Sequence, residues 1–115
     1  MQKITKEFAV KTLRKLVAER GEDYVYPIGE CRYWDQDKNA PSCAVGVVLF
    51  EAGYPPEEIQ DLDPKFQTSR LGVSAGELIN HEFSVTPKAQ DILVRFQERQ
   101  DIGTPYGEAL RYALR

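Results

Sequence analysis

The feature that most constrains the fold is an apolar run from Cys43 to Phe50 in a chain of 115 residues. Ser42 stands before the run, where it can cap a helix, and Gly53 follows, where it can end one. Because the run is apolar on nearly every side, we expect a buried central helix, in which Gly46 lets a neighbouring segment approach closely. A buried strand is the alternative, since the valines in the middle favour β structure.

Local start signals predict helices towards both ends of the chain. Thr5 is placed to cap a helix over residues 6–20, in which apolar residues recur at helical spacing, and Gly21 can stop it. The pair Thr86-Pro87 predicts a second helix, which reaches to about residue 101. The same pair at Thr104-Pro105 starts the last helix, so the chain should end as a helical hairpin.

Two shorter helices are predicted between these segments. One begins at Pro55-Pro56, where two glutamates follow the prolines, and should fade near residues 62–64 because Pro64 cannot continue a helix. The other begins at Ser74, which forms a capping-box pattern with Glu77.

Between the first helix and the apolar run, the sequence is typical of a β-hairpin. Its strands would be Tyr24–Tyr26 and Cys31–Trp34, joined by a turn at residues 27–29, and the polar residues 35–39 would form a loop. One face should pack on the helices while the other carries some aromatic side chains outward. The predicted fold class is α+β and mostly α, with about five helices and a small two-stranded hairpin in one domain, residues 1–115.

The charge balance bears on the class of partner. The net charge is −3 and the sequence pI is about 5.2, and the 15 basic residues are scattered along the chain. This argues against nucleic-acid binding, which needs concentrated basic residues. Nucleic-acid binding through the first helix stays open as a further alternative. No apolar segment predicts a membrane span or a signal peptide, so we expect a cytoplasmic protein with reduced cysteines.

Cys43 is the strongest candidate for chemistry. A thiol at a helix N-terminus is favoured as thiolate by the exposed N–H groups and the helix dipole. Cys31 is a candidate resolving partner, and His81, the only histidine, is a candidate base. These three residues define a thiol-dependent enzyme or redox switch as one hypothesis, and the alternative is that Cys43 is a small buried hydrophobe.

No metal and no cofactor is predicted. Two cysteines and one histidine fall short of the four ligands of a structural zinc site. The residues Asp35, Asp37 and Asn39 imitate the opening of a calcium loop, but Ala40 stands where that loop requires glycine. The dispersed glycines match no nucleotide-binding loop.

A recognition surface is the other candidate site, because tyrosine, tryptophan and arginine are enriched in binding hot spots. The alternative is that the aromatic side chains anchor the hairpin to the helices. The candidate partner-binding residues are Tyr24, Tyr26, Arg32, Tyr33, Trp34, Asp35 and Asp37.

Two stretches carry a resemblance to small uncharacterised proteins of actinobacteria and their bacteriophages. They run from Tyr24-Val25-Tyr26 through Pro41-Ser42-Cys43-Ala44-Val45-Gly46 to Gly53, and from Gln97 through Asp101-Ile102-Gly103-Thr104-Pro105 to Ala109. The resemblance implies a setting and no catalytic residues. Phage accessory proteins commonly bind and alter a host protein, so the favoured prediction is a non-enzymatic interaction protein with a host or cellular protein as partner. A homodimer that buries an apolar helix face also stays open.

Overall fold

The structure, a computed structural model, describes residues 2–27, 32–66 and 83–115. Within these residues the chain forms helices and one antiparallel pair of strands, as the predicted fold class requires. None of the described helices is both long enough and apolar enough to cross a membrane. The elements are α1 (Lys6–Arg20), β1 (Trp34–Asp35), β2 (Ala40–Pro41), α2 (Ala44–Glu51), α3 (Pro56–Phe66), α4 (Pro87–Asp101) and α5 (Tyr106–Ala113).

The apolar run forms helix α2, which lies at the centre of the core. Val45, Val48 and Leu49 are fully buried in an apolar cluster, and α2 packs against α1, α3 and α4. The predicted central helix is therefore confirmed, and the alternative of a buried strand is wrong. The chain leaves the helix at Ala52 and turns through Gly53, whose φ of +99° favours glycine.

The local start signals of α1 and α4 work as predicted. Thr5 Oγ1 accepts a backbone N–H of the first turn of α1 at 3.2 Å. Gly21 follows the last residue of α1 with a φ of +106°. Thr86 Oγ1 accepts a first-turn N–H of α4, also at 3.2 Å, and Pro87 is the first helical residue. Both helices are thus defined by side chains adjacent to them in sequence.

Two other predicted caps are wrong. The N-cap of α2 is Cys43, and Ser42 Oγ instead lies 2.6 Å from the hydroxyl oxygen of Tyr26. The N-cap of α5 is Pro105 and not Thr104, and the helix has no capping hydrogen bond from the side chain of this N-cap residue. The first N–H groups of α5 are bonded to backbone oxygens of the segment that follows α1. Tertiary partners therefore replace the local caps at both helices.

Helix α3 is longer than predicted. It continues through Pro64 to Phe66 instead of fading before the proline. Ile59 and Leu62 are fully buried, and Asp63 accepts two backbone hydrogen bonds, so tertiary contacts offset the cost of about 3 kcal/mol that an internal proline imposes. The helix predicted to start at Ser74 lies outside the described residues.

The hairpin lies at a different place from the prediction. Residues 24–27 form no strand, whereas Trp34–Asp35 and Ala40–Pro41 pair as antiparallel strands. In this register Trp34 faces Pro41 and Asp35 faces Ala40. The residues predicted to form a loop after the hairpin therefore contain its turn. Residues 28–31, which include the predicted strand residue Cys31, lie outside the described residues.

Hydrogen bonds of a single carboxylate explain why the turn forms here. Asp35 Oδ1 accepts the backbone N–H groups of Asp37 at 3.0 Å and Lys38 at 3.2 Å. Asn39 completes the turn with a φ of +51°, a conformation that asparagine tolerates better than most residues. We call the four turn residues, Gln36–Asn39, the hairpin tip.

Candidate functional site

Most of the predicted recognition aromatics belong to the core. Tyr26, Tyr33 and Trp34 are 3%, 8% and 2% exposed, so the expectation that they form an outward-facing surface is wrong. The ring of Trp34 lies 5.7 Å from that of Phe50 on α2, which gives the physical reason: these side chains join the hairpin to the helices. Only Tyr24 of the predicted aromatic group is half-buried.

Gly46 allows the hairpin to lie directly on α2, as the sequence predicted. A Cβ atom at this position would collide with the carbonyl oxygen of Tyr33 and lie 3.0 Å from its carbonyl carbon. The neighbouring backbone N–H of Ser42 donates to the same carbonyl oxygen at 3.0 Å. A side chain at position 46 would therefore push the start of the hairpin away from the core.

Asp63 fixes the hairpin from its other side. Its Oδ1 accepts the backbone N–H of Tyr33 at 2.7 Å, and its Oδ2 accepts that of Trp34 at 3.2 Å. Burial raises the pKa of Asp63, and the two N–H groups together with the Arg32 charge counteract this rise in part. The hairpin is thus attached to both α2 and α3 through its backbone.

The exposed candidates lie on and beside this fixed hairpin. Arg32 and all four residues of the hairpin tip are exposed, and Asp35 is half-buried. Of the predicted partner-binding residues, Arg32 and Asp37 are therefore the most accessible to a partner, and Asp35 shapes the turn that presents the tip.

A polar cleft of about 290 Å³ opens between the end of α1, residues 24–27 and the hairpin. Sequence reasoning missed Arg20, Lys38 and Ser42 as members of one site, because they come from separate segments that only the fold joins. We call this cavity the polar cleft. Its lining includes, among the described residues, Arg20, Tyr24, Tyr26, Pro27, Asp35, Lys38, Pro41 and Ser42.

A hydrogen-bonded chain links the cleft to the buried end of α2. Arg20 Nη1 donates to the hydroxyl oxygen of Tyr106 at 3.1 Å, and that hydroxyl donates to Gln100 Oε1 at 2.7 Å. Gln100 is fully buried, and the same Oε1 accepts the backbone N–H of Ala44 at 3.0 Å. The amide of Gln100 thus serves as a long-range cap for α2, and Tyr106 connects it to Arg20.

Cys43 sits at the N-terminus of α2, but its environment opposes thiolate formation. The residue is 1% exposed, and burial raises its pKa to about 12, although the Gly46 N–H and the Gln97 amide lower it in part. The helix N–H groups that would favour a thiolate are already bonded in part, since Val45 donates to Gln97 Oε1 at 3.3 Å. The thiol is neutral and inaccessible at physiological pH. Its predicted partners, Cys31 and His81, lie outside the described residues.

The calcium-loop imitation at residues 35–39 has a structural explanation. The carboxylate of Asp35 accepts two backbone N–H groups of the turn. The part of the chain that the structure describes contains no group of three or more histidine, cysteine or acidic residues placed to hold a metal ion.

Comparison with protein-family models, curated proteins and solved structures finds no match to this chain.

Proposed function

We propose that this chain is a small non-enzymatic interaction protein that binds a protein partner through the hairpin tip and the adjacent Arg32. The observation that carries the proposal is an exposed, charged turn held in one conformation on a helical core. The resemblance to actinobacterial and phage proteins suggests an accessory role in which the partner is a host protein.

Preorganisation of the tip supports binding. Two hydrogen bonds to Asp35 and the left-handed conformation of Asn39 define the turn, and Asp63 holds the strand that leads into it. A loop already ordered in the free protein loses less conformational entropy on binding, so more of the contact energy appears as affinity. Binding residues are often found on such loops above a rigid scaffold.

The charges of the surface indicate the chemistry of the partner. The hairpin tip and its flank expose charges of both signs, from Arg32, Asp37 and Lys38. Such a surface favours a polar partner with complementary charges, which would set the orientation and the association rate. The thiol-dependent alternative receives no support from Cys43, which is buried and neutral.

The test is an exchange of charges at the tip. The variant Asp37→Lys with Lys38→Glu keeps the net charge but reverses the local pattern, and we expect it to lose a partner that the wild type co-purifies at stoichiometric yield. The matched control is Glu7→Lys with Lys11→Glu, an exchange on the exposed face at the far end of α1. Unchanged binding by the tip variant, or a wild-type protein that co-purifies nothing from its native cells, would refute the proposal.

A further inference from the structure

The polar cleft differs in charge from the rest of the molecule. Among the residues that the structure describes, the charged lining residues are Arg20, Lys38 and Asp35, which sum to one positive charge, whereas the whole chain has a net charge of −3. The described residues place no carboxylate within 4.0 Å of Arg20 or Lys38. We propose that the cleft binds a small oxyanion, the phosphate or carboxylate group of a small molecule, between Arg20 and Lys38.

Arg20 is held ready for such a ligand. Nη1 is anchored on the hydroxyl of Tyr106, and the guanidinium carbon lies 5.6 Å from the ring centre of Tyr24 and 5.9 Å from that of Tyr106. An arginine offers five N–H donors in a fixed plane, which matches the oxygens of a phosphate or carboxylate. Because Tyr106 is itself fixed by the buried Gln100, the guanidinium is ordered before any ligand arrives.

The remaining lining residues suit a small polar ligand. Lys38 supplies a second cation from the hairpin tip, and the hydroxyls of Tyr26 and Ser42, 2.6 Å apart, make one wall polar. Asp35 is the acidic residue among the described lining residues, and its Oδ1 already accepts two backbone N–H groups of the turn. The volume of about 290 Å³ lies just below the usual range of about 300–1,000 Å³ for ligand pockets, which indicates a ligand of metabolite size or less.

The test is a titration of the ¹⁵N-labelled protein with sodium phosphate and, separately, with sodium acetate, each at constant ionic strength kept by sodium chloride. We expect saturable shifts of the Arg20 Nε–Hε signal and of the Tyr24 and Lys38 amides with at least one of the two ions. Saturable shifts with phosphate alone would identify a phosphate ligand. Saturable shifts with both ions would identify a site that also accepts a carboxylate. Arg20→Gln should weaken binding at least about tenfold, because it removes a charge-assisted hydrogen bond.

Controls separate binding from folding and from overall charge. Arg14→Gln makes the same charge change on the exposed face of α1 and should bind like the wild type. Since Arg20 also contacts Tyr106, the second variant is Lys38→Gln on the exposed tip, which leaves the core untouched and should also weaken binding. Failure of both ions to give saturable shifts, or equal affinity in wild type and Lys38→Gln, would overturn the proposal. Neither result depends on capture of a protein partner.

Discussion

Gln100→Leu tests the long-range cap of α2, because leucine has nearly the same size as glutamine but accepts no hydrogen bond. The Oε1 atom of Gln100 accepts two buried donors, the N–H of Ala44 at 3.0 Å and the O–H of Tyr106 at 2.7 Å. In the variant both donors lose this acceptor inside the core. The variant also lacks Nε2, so the hydrogen bond that this atom donates to Asp101 Oδ1, at 3.0 Å, is lost.

The expected cost follows from these two donors. A buried donor left unsatisfied costs about 1–3 kcal/mol, and the added apolar contact of leucine returns a fraction of that. We therefore expect the free energy of unfolding to fall by about 2–4 kcal/mol. For a domain of this size such a loss corresponds to a fall in Tm of roughly 8–17 °C.

Urea denaturation followed by the fluorescence of Trp34, the only tryptophan, measures the change. The matched control is Gln90→Leu, a half-buried position on the same helix, which should change stability by less than about 0.5 kcal/mol. Equal stability of Gln100→Leu and the wild type would refute the reasoning, since it would mean that Ala44 and Tyr106 do not depend on this acceptor.

Three further results are expected. Gly46→Ala should lower the free energy of unfolding by about 1–3 kcal/mol because its Cβ meets the backbone of Tyr33. Gly107→Ala should lower it less, because the nearest atoms to its Cβ belong to the exposed side chain of Glu22, at 2.9–3.3 Å. Asp63→Ala should lower the free energy of unfolding by about 2–3 kcal/mol, because it leaves two backbone N–H groups without an acceptor. Burial raises the pKa values of Asp63 and Asp101, so the folded state binds protons more readily than the unfolded state, and stability should rise as the pH falls through these raised values towards about 3.8. Urea denaturation at a series of pH values measures this rise, and Asp63→Asn and Asp101→Asn should each reduce it. If both variants kept the wild-type dependence of stability on pH, the attribution to these two carboxyls would be contradicted.

The parts of the fold that the sequence predicted are those with local causes. Thr5 and Thr86 cap the helices next to them, and the apolar run around Val48 has no polar face to expose, so its burial follows from composition, whereas the choice of a helix over a strand does not. The hairpin was misplaced because its position depends on Asp63, about 30 residues away along the chain, and on the close approach at Gly46. No local propensity encodes such contacts.

The candidate site was harder to predict for the same reason. The helix N-terminus at Cys43 suggested a reactive thiol, yet Gln97 and Gln100 reach it from more than 50 residues away and burial dominates its pKa. A pair of glutamines three residues apart, in line with the apolar positions of α4, was the available signal. The polar cleft joins Arg20 and Lys38 from separate segments, so no spacing in the sequence indicates it.

The alkylation rate of Cys43 in the folded protein, measured against pH, decides most directly between thiol chemistry and a function carried by the surface. Trypsin cleaves after Arg32 and Lys38, so Cys31 and Cys43 fall on different peptides and mass spectrometry reads each one separately. We expect Cys43 to stay unmodified up to about pH 9 and to react completely once urea unfolds the chain, because its thiol is buried and its pKa is raised. Rapid alkylation of the folded protein, with an apparent pKa below the ordinary value of about 8.5, would contradict the buried, neutral thiol and favour a thiol-dependent activity.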